Sequence, residues 1–185
     1  MRVVTNLMRP LKVTINHKAL SSNLNYIKKI ANRSKVMAVL KANAYGHNLL
    51  NVAKTLNASD GFAVLLIEEA AQLRNNFPNQ VILLLEGCFD KDEVDIASKL
   101  QINITIHNQR QIELIDAVKP SLPINIHLKI NTGMNRLGFK PEEIDSLLVR
   151  LDSNPYIGDI VLMTHFATAD EEAGIKNQLR TFNLI

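Results

Sequence analysis

The sequence predicts an α/β fold on a parallel sheet, and three observations carry that reading. Short apolar runs alternate with segments of helical period six times along 185 residues. The chain between successive runs is long enough for a crossover helix and too long for a hairpin turn. No repeat, low-complexity tract or Gly/Ser-rich linker divides it, and its length suits one domain.

An opening helix starts after Asn16, a residue suited to capping, and places Leu20, Leu24 and Ile27 on one face. The first strand is Val36–Leu40, followed by the polar segment Lys41–His47 and a helix carrying Leu49, Val52, Ala53 and Leu56. The second strand, Gly61–Ile67, runs into a helix at Glu68. The third, Val81–Leu85, leads through a turn at Glu86–Asp90 to a helix bearing Val94, Ala97 and Leu100. Strands four and five are Ile102–Ile106 and Ile124–Ile130. Pro141 occupies a favoured first helical position before Glu142–Leu148. The sixth strand is Ile160–Thr164, and a last helix begins near Gly174.

Six such units with right-handed crossovers fit part of a parallel (β/α)8 barrel of the TIM type, which needs eight units and typically about 250 residues. A sheet of six strands keeps two unpaired edges, so the chain reads as an incomplete barrel. A complete, open six-stranded α/β sheet is the alternative that periodicity leaves standing.

Strands four and five carry more than an apolar run. Ile124, Ile126, Leu128 and Ile130 share one face of strand five, so Asn125, His127, Lys129 and Asn131 share the other. In strand four Ile102, Ile104 and Ile106 lie opposite Asn103, Thr105 and His107. Crossover helices cover the apolar face, which aims the polar one into the barrel and suggests a cofactor or a hydrogen-bonded network there. A half-exposed edge strand gives the same alternation.

Lys and Arg number 21 against 18 Asp and Glu, a net charge of +3, and the basic residues are scattered. That pattern gives no footprint for nucleic acid. No apolar run approaches the ~20 residues of a membrane span. A single cysteine, Cys88, excludes an internal disulfide and points to a reduced, cytoplasmic setting. Met1–Pro10 has neither the apolar centre nor the cleavage site of a signal peptide. Residues 1–8 are expected to be a short extension, with Met8 as an alternative start, and residues 9–185 to form the domain.

Chemistry is expected where the strands end, because α/β barrels build their sites at the carboxyl ends. Lys41 follows the first strand directly, and an amine there can attack an aldehyde such as that of pyridoxal phosphate. Asn43, Tyr45, Gly46 and His47 add polar groups and a flexible turn where a phosphate can sit before the next helix. A second cluster, Lys129–Phe139, contains Gly133, Gly138 and Arg136, whose planar fork suits a carboxylate or phosphate. An ordinary salt bridge is the other reading of Arg136. A third, Met163–Asp170, contains His165. The five histidines show no metal-ligand spacing, and there is no Walker loop or dinucleotide fingerprint.

Val39-Leu-Lys-Ala-Asn-Ala-Tyr-Gly-His47 resembles the cofactor-lysine motif of bacterial alanine racemases. Lys129–Phe139 resembles that family's Thr-Gly-Met…Arg-Leu-Gly segment, and Met163–Asp170 its His-Phe-Ala…Ala-Asp segment. Arg9-Pro10, Ala19-Leu20 and Asn23 are similar to the family's start. The resemblance implies pyridoxal 5'-phosphate as cofactor and interconversion of L- and D-alanine, the latter a cell-wall precursor, by a homodimer. It implies that Lys41 holds the cofactor and transfers a proton, and that Tyr45 contacts the phosphate. Arg136 would orient substrate and the cofactor's phenolic oxygen, Lys129 (carbamylated in some members) would hold Arg136, and His165 would support the pyridine ring. Asn131 stands where the family commonly has aspartate. The family's opposite base is a tyrosine of a carboxyl-terminal β domain, and Tyr26, Tyr45 and Tyr156 match no such segment. The chain alone is therefore expected to be inactive. A non-catalytic barrel that binds pyridoxal phosphate, or a structural fragment without cofactor, are the competing readings.

Overall fold

The computed structural model describes residues 13–185. The expected extension at 1–8, the domain start at 9 and the Arg9-Pro10 likeness lie outside the described residues.

The elements run α1 (His17–Ala31), β1 (Met37–Val39), α2 (Lys41–Gly46), α3 (Leu49–Thr55), β2 (Gly61–Val64), α4 (Ile67–Asn76), β3 (Ile82–Leu84), α5 (Lys91–Lys99) and β4 (Asn103–Ile106). They continue with α6 (Gln109–Val118), β5 (Ile124–Lys129), a 3-10 turn at Pro141–Glu143, α7 (Ile144–Asp152), β6 (Ile157–Met163) and α8 (Lys176–Phe182). All strands pair in parallel in the order β1-β2-β3-β4-β5-β6. Chain order and spatial order coincide, so right-handed crossovers put the connecting helices on one face. That is the winding of a barrel arc, whereas a doubly wound sheet reverses its order.

The apolar alternation does what the sequence requires. Ile104, Ile106, Ile124, Ile126 and Leu128 are fully buried against Ile112, Ile115 and Ile144 of the covering helices. β4 and β5 are interior strands, which removes the edge-strand reading: their polar residues line the hollow of the arc. The unpaired edges belong to β1 and β6, where Val39 and Val161 are exposed.

Side chains cap the starts of α1, α3, α5 and α6. Asn16 Oδ1 accepts the Ala19 amide at 3.0 Å, Asp90 Oδ1 that of Glu93 at 2.9 Å, and Asn108 Oδ1 that of Gln111 at 3.1 Å. Pro141 starts a 3-10 turn that runs into α7, and the Glu143 carboxylate accepts the Lys140 amide at 2.7 Å.

The strands differ from expectation at their ends. Those before β6 are shorter, although Leu40, Leu85 and Ile130 just beyond them still donate their amides to the carbonyls of Ala63, Val64 and Met163 in the neighbouring strands. β6 begins earlier, at Ile157 rather than Ile160. The missing Cβ at Gly158 leaves room for the Asn125 side chain. Asn125 Oδ1 then accepts the Asp159 amide at 2.9 Å, bridging a register shift in β5–β6. The last helix covers only Lys176–Phe182.

Candidate active site

The carboxyl ends of the strands surround one cavity of about 690 Å³, whose lining includes Lys41, Tyr45, His107, Lys129, Arg136 and His165. Five of these six were singled out from sequence. Asn131 borders an adjoining narrow cleft with Arg136 and His165.

Lys41 stands where β1 has ended, after Leu40, whose amide still donates to the Ala63 carbonyl at 2.7 Å. The segment after it is not the flexible turn expected. Ala42, Asn43, Ala44 and Tyr45 all have φ between 52° and 55°, so α2 is a left-handed turn that Gly46 closes at φ 80°. Each non-glycine residue in that conformation costs roughly 1–2 kcal/mol, a local strain that the surrounding contacts must offset. The Lys41 Nζ lies 6.0 Å from the Tyr45 ring centre, and Tyr45 is itself exposed.

Arg136 is carried by a loop closed at its base. Asn131 donates its amide to the Phe139 carbonyl at 2.8 Å, and Phe139 returns its own to the Lys129 carbonyl at 2.9 Å. Gly138 has φ 116°, and a Cβ there would meet the Asn131 nitrogen at 2.8 Å. Inside the loop Asn131 Oδ1 accepts the amides of Gly133 and Asn135, each at 3.0 Å, while its Nδ2 donates to Asn135 Oδ1 at 2.9 Å. Asn131 therefore organises the loop that presents Arg136. The salt-bridge reading of Arg136 finds no partner among the described residues, whose ion pairs join Lys28 to Asp60, Lys99 to Asp95 and Arg150 to Asp116.

His165 follows β6 and is exposed toward the cavity. Its carbonyl accepts Gln178 Nε2 at 3.1 Å, and Gln178 is buried on α8.

Two cavity residues were not singled out from sequence. His107 lies one step beyond the β4–β5 pairing of Ile106 with Leu128, which sets it beside Lys129. Its Nε2 donates to the Glu86 carbonyl at 3.1 Å, and its Nδ1 accepts Asn108 Nδ2 at 3.1 Å, a pattern that fits a neutral ring. Glu86 enters from the turn after β3. The signal for His107 was present, since it shares the polar face of strand four with Thr105.

The charges have a direction. Lys41, Lys129 and Arg136 face the cavity against Glu86, which favours an anionic guest. Burial, and next the Arg136 guanidinium nearby, hold Lys129 below the ordinary lysine range. Burial likewise pushes His107 below the usual histidine value. Cys88 sits behind the site, and its thiol is pushed up to about 12 by burial and then by the nearby acids Glu93 and Asp90, which makes it inert.

An arc of parallel α/β barrel with a strand-end lysine in a cationic cavity is one class of fold and site. The family described as alanine racemase, N-terminal domain, matches residues 15–185. The alanine racemase of Polaromonas naphthalenivorans is 45% identical over 177 residues, 96% of this chain and 48% of the relative. That of Nitrosomonas europaea is 47% identical over 163 residues, 88% of this chain and 45% of the relative. The crystal structure of the biosynthetic alanine racemase from Pseudomonas aeruginosa superposes with a TM-score of 0.90 at 39% identity, covering 95% of this chain and 50% of that one. This chain belongs to the alanine racemase N-terminal domain family. It spans about half the length of the curated relatives it matches.

Proposed function

We propose that the whole protein is an alanine racemase that interconverts L- and D-alanine with pyridoxal 5'-phosphate, the described residues contributing the larger part of its cofactor-binding barrel. The observation that carries this is the convergence of Lys41, Tyr45, Lys129, Arg136 and His165 on one cavity in a chain similar to alanine racemases along most of its length.

The residues fit the cofactor. The cavity volume of about 690 Å³ falls in the ~300–1,000 Å³ range of ligand sites. Lys41 offers an amine for the aldehyde, Lys129, Arg136 and Tyr45 offer cations and a phenol to an anionic group, and Leu85 and Met163 give the cavity apolar lining. Bound there, pyridoxal phosphate supplies an electron sink that acidifies the amino acid's Cα–H.

The chain's own residues then divide the work. Lys41 Nζ would hold the cofactor and would carry the proton on one face of Cα. Tyr45 would donate to the phosphate. Arg136, which has no acid partner among the described residues, would orient the phenolic oxygen and the substrate side. Lys129 as a neutral amine takes up CO2 as a carbamate, forming an N–C bond and releasing a proton, and the resulting anion holds Arg136. His165 would back the ring, its main chain fixed by Gln178. Racemisation also needs a proton carrier on the opposite face. In the alanine racemase family the group on that face is a tyrosine of the partner subunit's carboxyl-terminal domain. Neither Tyr26 nor Tyr156 lines the cavity, and a homodimer of the whole protein would supply it.

The test is conversion of L-alanine to the D enantiomer by the whole protein, read with a D-amino-acid-specific oxidation. Turnover in the parent that disappears in Lys41→Ala supports the assignment. Cofactor binding without turnover would favour a non-catalytic carrier instead.

A further inference from the structure

We infer that Glu69 is a positioning residue for Lys41: its buried carboxylate holds the left-handed turn that presents the lysine to the cavity. The functional consequence rests on the reading of Lys41 given above, whereas the structural part stands independently.

The turn α2 contains four successive non-glycine residues with φ between 52° and 55°. Such residues visit this region singly, not as a helical turn, unless contacts over-determine them. Within the segment, Ala44 donates to the Leu40 carbonyl at 2.8 Å and Asn43 Oδ1 accepts the Leu49 amide at 2.8 Å. His47 Nδ1 meets the Ala44 carbonyl at 2.9 Å. These bonds stay between residues 40 and 49. Among the described residues, the side chain that reaches the turn's backbone from another part of the fold is Glu69, whose Oε1 accepts the Asn43 amide at 2.7 Å. Its Oε2 faces the Leu65 amide at 3.4 Å, which ties the same carboxylate to the loop after β2.

The choice of residue follows from chemistry. Glu69 is only 8% exposed, and no ion pair among the described residues involves it. A buried carboxylate needs donors, and here both oxygens face main-chain amides. It sits in the first turn of α4, where the helix field favours a negative charge. An ordinary capping glutamate would serve α4 alone. This one spends its shorter bond on a segment 26 positions away, directly after Lys41.

The test uses hydrogen exchange of peptides covering residues 42–49 in the whole protein, beside peptides from α4 and β2. Glu69→Ala should speed exchange in 42–49 by roughly tenfold or more, as expected for loss of a charge-assisted bond, with smaller change elsewhere. Glu69→Gln keeps an acceptor for Asn43 and should restore most of the protection. Ala42→Gly places an unstrained residue at an exposed left-handed position and should rescue Glu69→Ala, both in exchange and in the rate of borohydride-fixed labelling of Lys41 by pyridoxal phosphate. Equal exchange in 42–49 for parent and Glu69→Ala would overturn the inference. So would a uniform loss of protection that neither the Glu69→Gln variant avoids nor Ala42→Gly repairs. If Lys41 is not labelled in the parent, the cofactor reading fails while the exchange pattern still decides the role of Glu69.

Discussion

Thr132 and Thr164 join their hydroxyls at 2.8 Å, and Thr164 passes its own proton to the Ile130 carbonyl at 2.9 Å. Thr132 must therefore be the donor to Thr164. The relay ties the Arg136 loop after β5 to the His165 segment after β6. Thr164→Val keeps the shape, breaks both bonds and should lower stability by about 1–2 kcal/mol. Substrate KM should rise more than kcat falls, since Arg136 is misplaced rather than removed. Thermal melting and steady-state kinetics against Thr164→Ser check this.

Gly87→Ala should be among the most damaging small substitutions. Gly87 has φ 72°, and an added Cβ would press on the Thr105 carbonyl and come within 2.5 Å of Gln111 Nε2. Overpacking of this kind costs about 1–3 kcal/mol, before the penalty for a left-handed alanine. Gln111 also donates to the Glu86 carbonyl at 2.7 Å, so the His107 anchor should shift as well. A fall in the urea midpoint with unchanged slope is the expected result.

Acid should destabilise this fold earlier than its carboxylates alone would. Burial holds the folded-state pKa values of His107 and His127 below the ordinary value of 6.5. As pH falls through 6.5 the unfolded chain takes protons first, so stability is fully present above that value and declines below it toward the folded-state values. Urea midpoints measured between pH 7.5 and 5.5 should show the decline. Gln at both positions should flatten it.

Lys129 should carry carbon dioxide. Its neutral amine is made more accessible by burial and by Arg136, and carbamylation replaces repulsion between two cations with an ion pair. Gentle native mass spectrometry in bicarbonate should show the addition, lost in Lys129→Ala. Activity of that variant should recover in part with added small carboxylates.

Much of this arrangement was legible in the sequence. The period switch located all six strands and the opening cap, and the alternation in strands four and five announced a polar interior. The lining of the candidate cavity was legible through strand ends and motifs, which singled out Lys41, Tyr45, Lys129, Arg136 and His165. What escaped was conformational. Lys41–His47 reads as a flexible turn because left-handed backbone leaves no mark on Ala or Tyr, and the carboxylate that holds it, Glu69, lies on another helix. His107 was read only as part of the polar face of strand four, and its place beside Lys129 depends on the β4–β5 register. The early start of β6 rests on Gly158 leaving room for the Asn125 side chain.

The central claim is that Lys41 is the amine that takes the cofactor. The most direct measurement is to mix the whole protein with pyridoxal phosphate, reduce with borohydride and map the modified lysine by mass spectrometry. Selective modification of Lys41, absent in Lys41→Ala, is the expected result. Modification spread over surface lysines, or none at all, would contradict it.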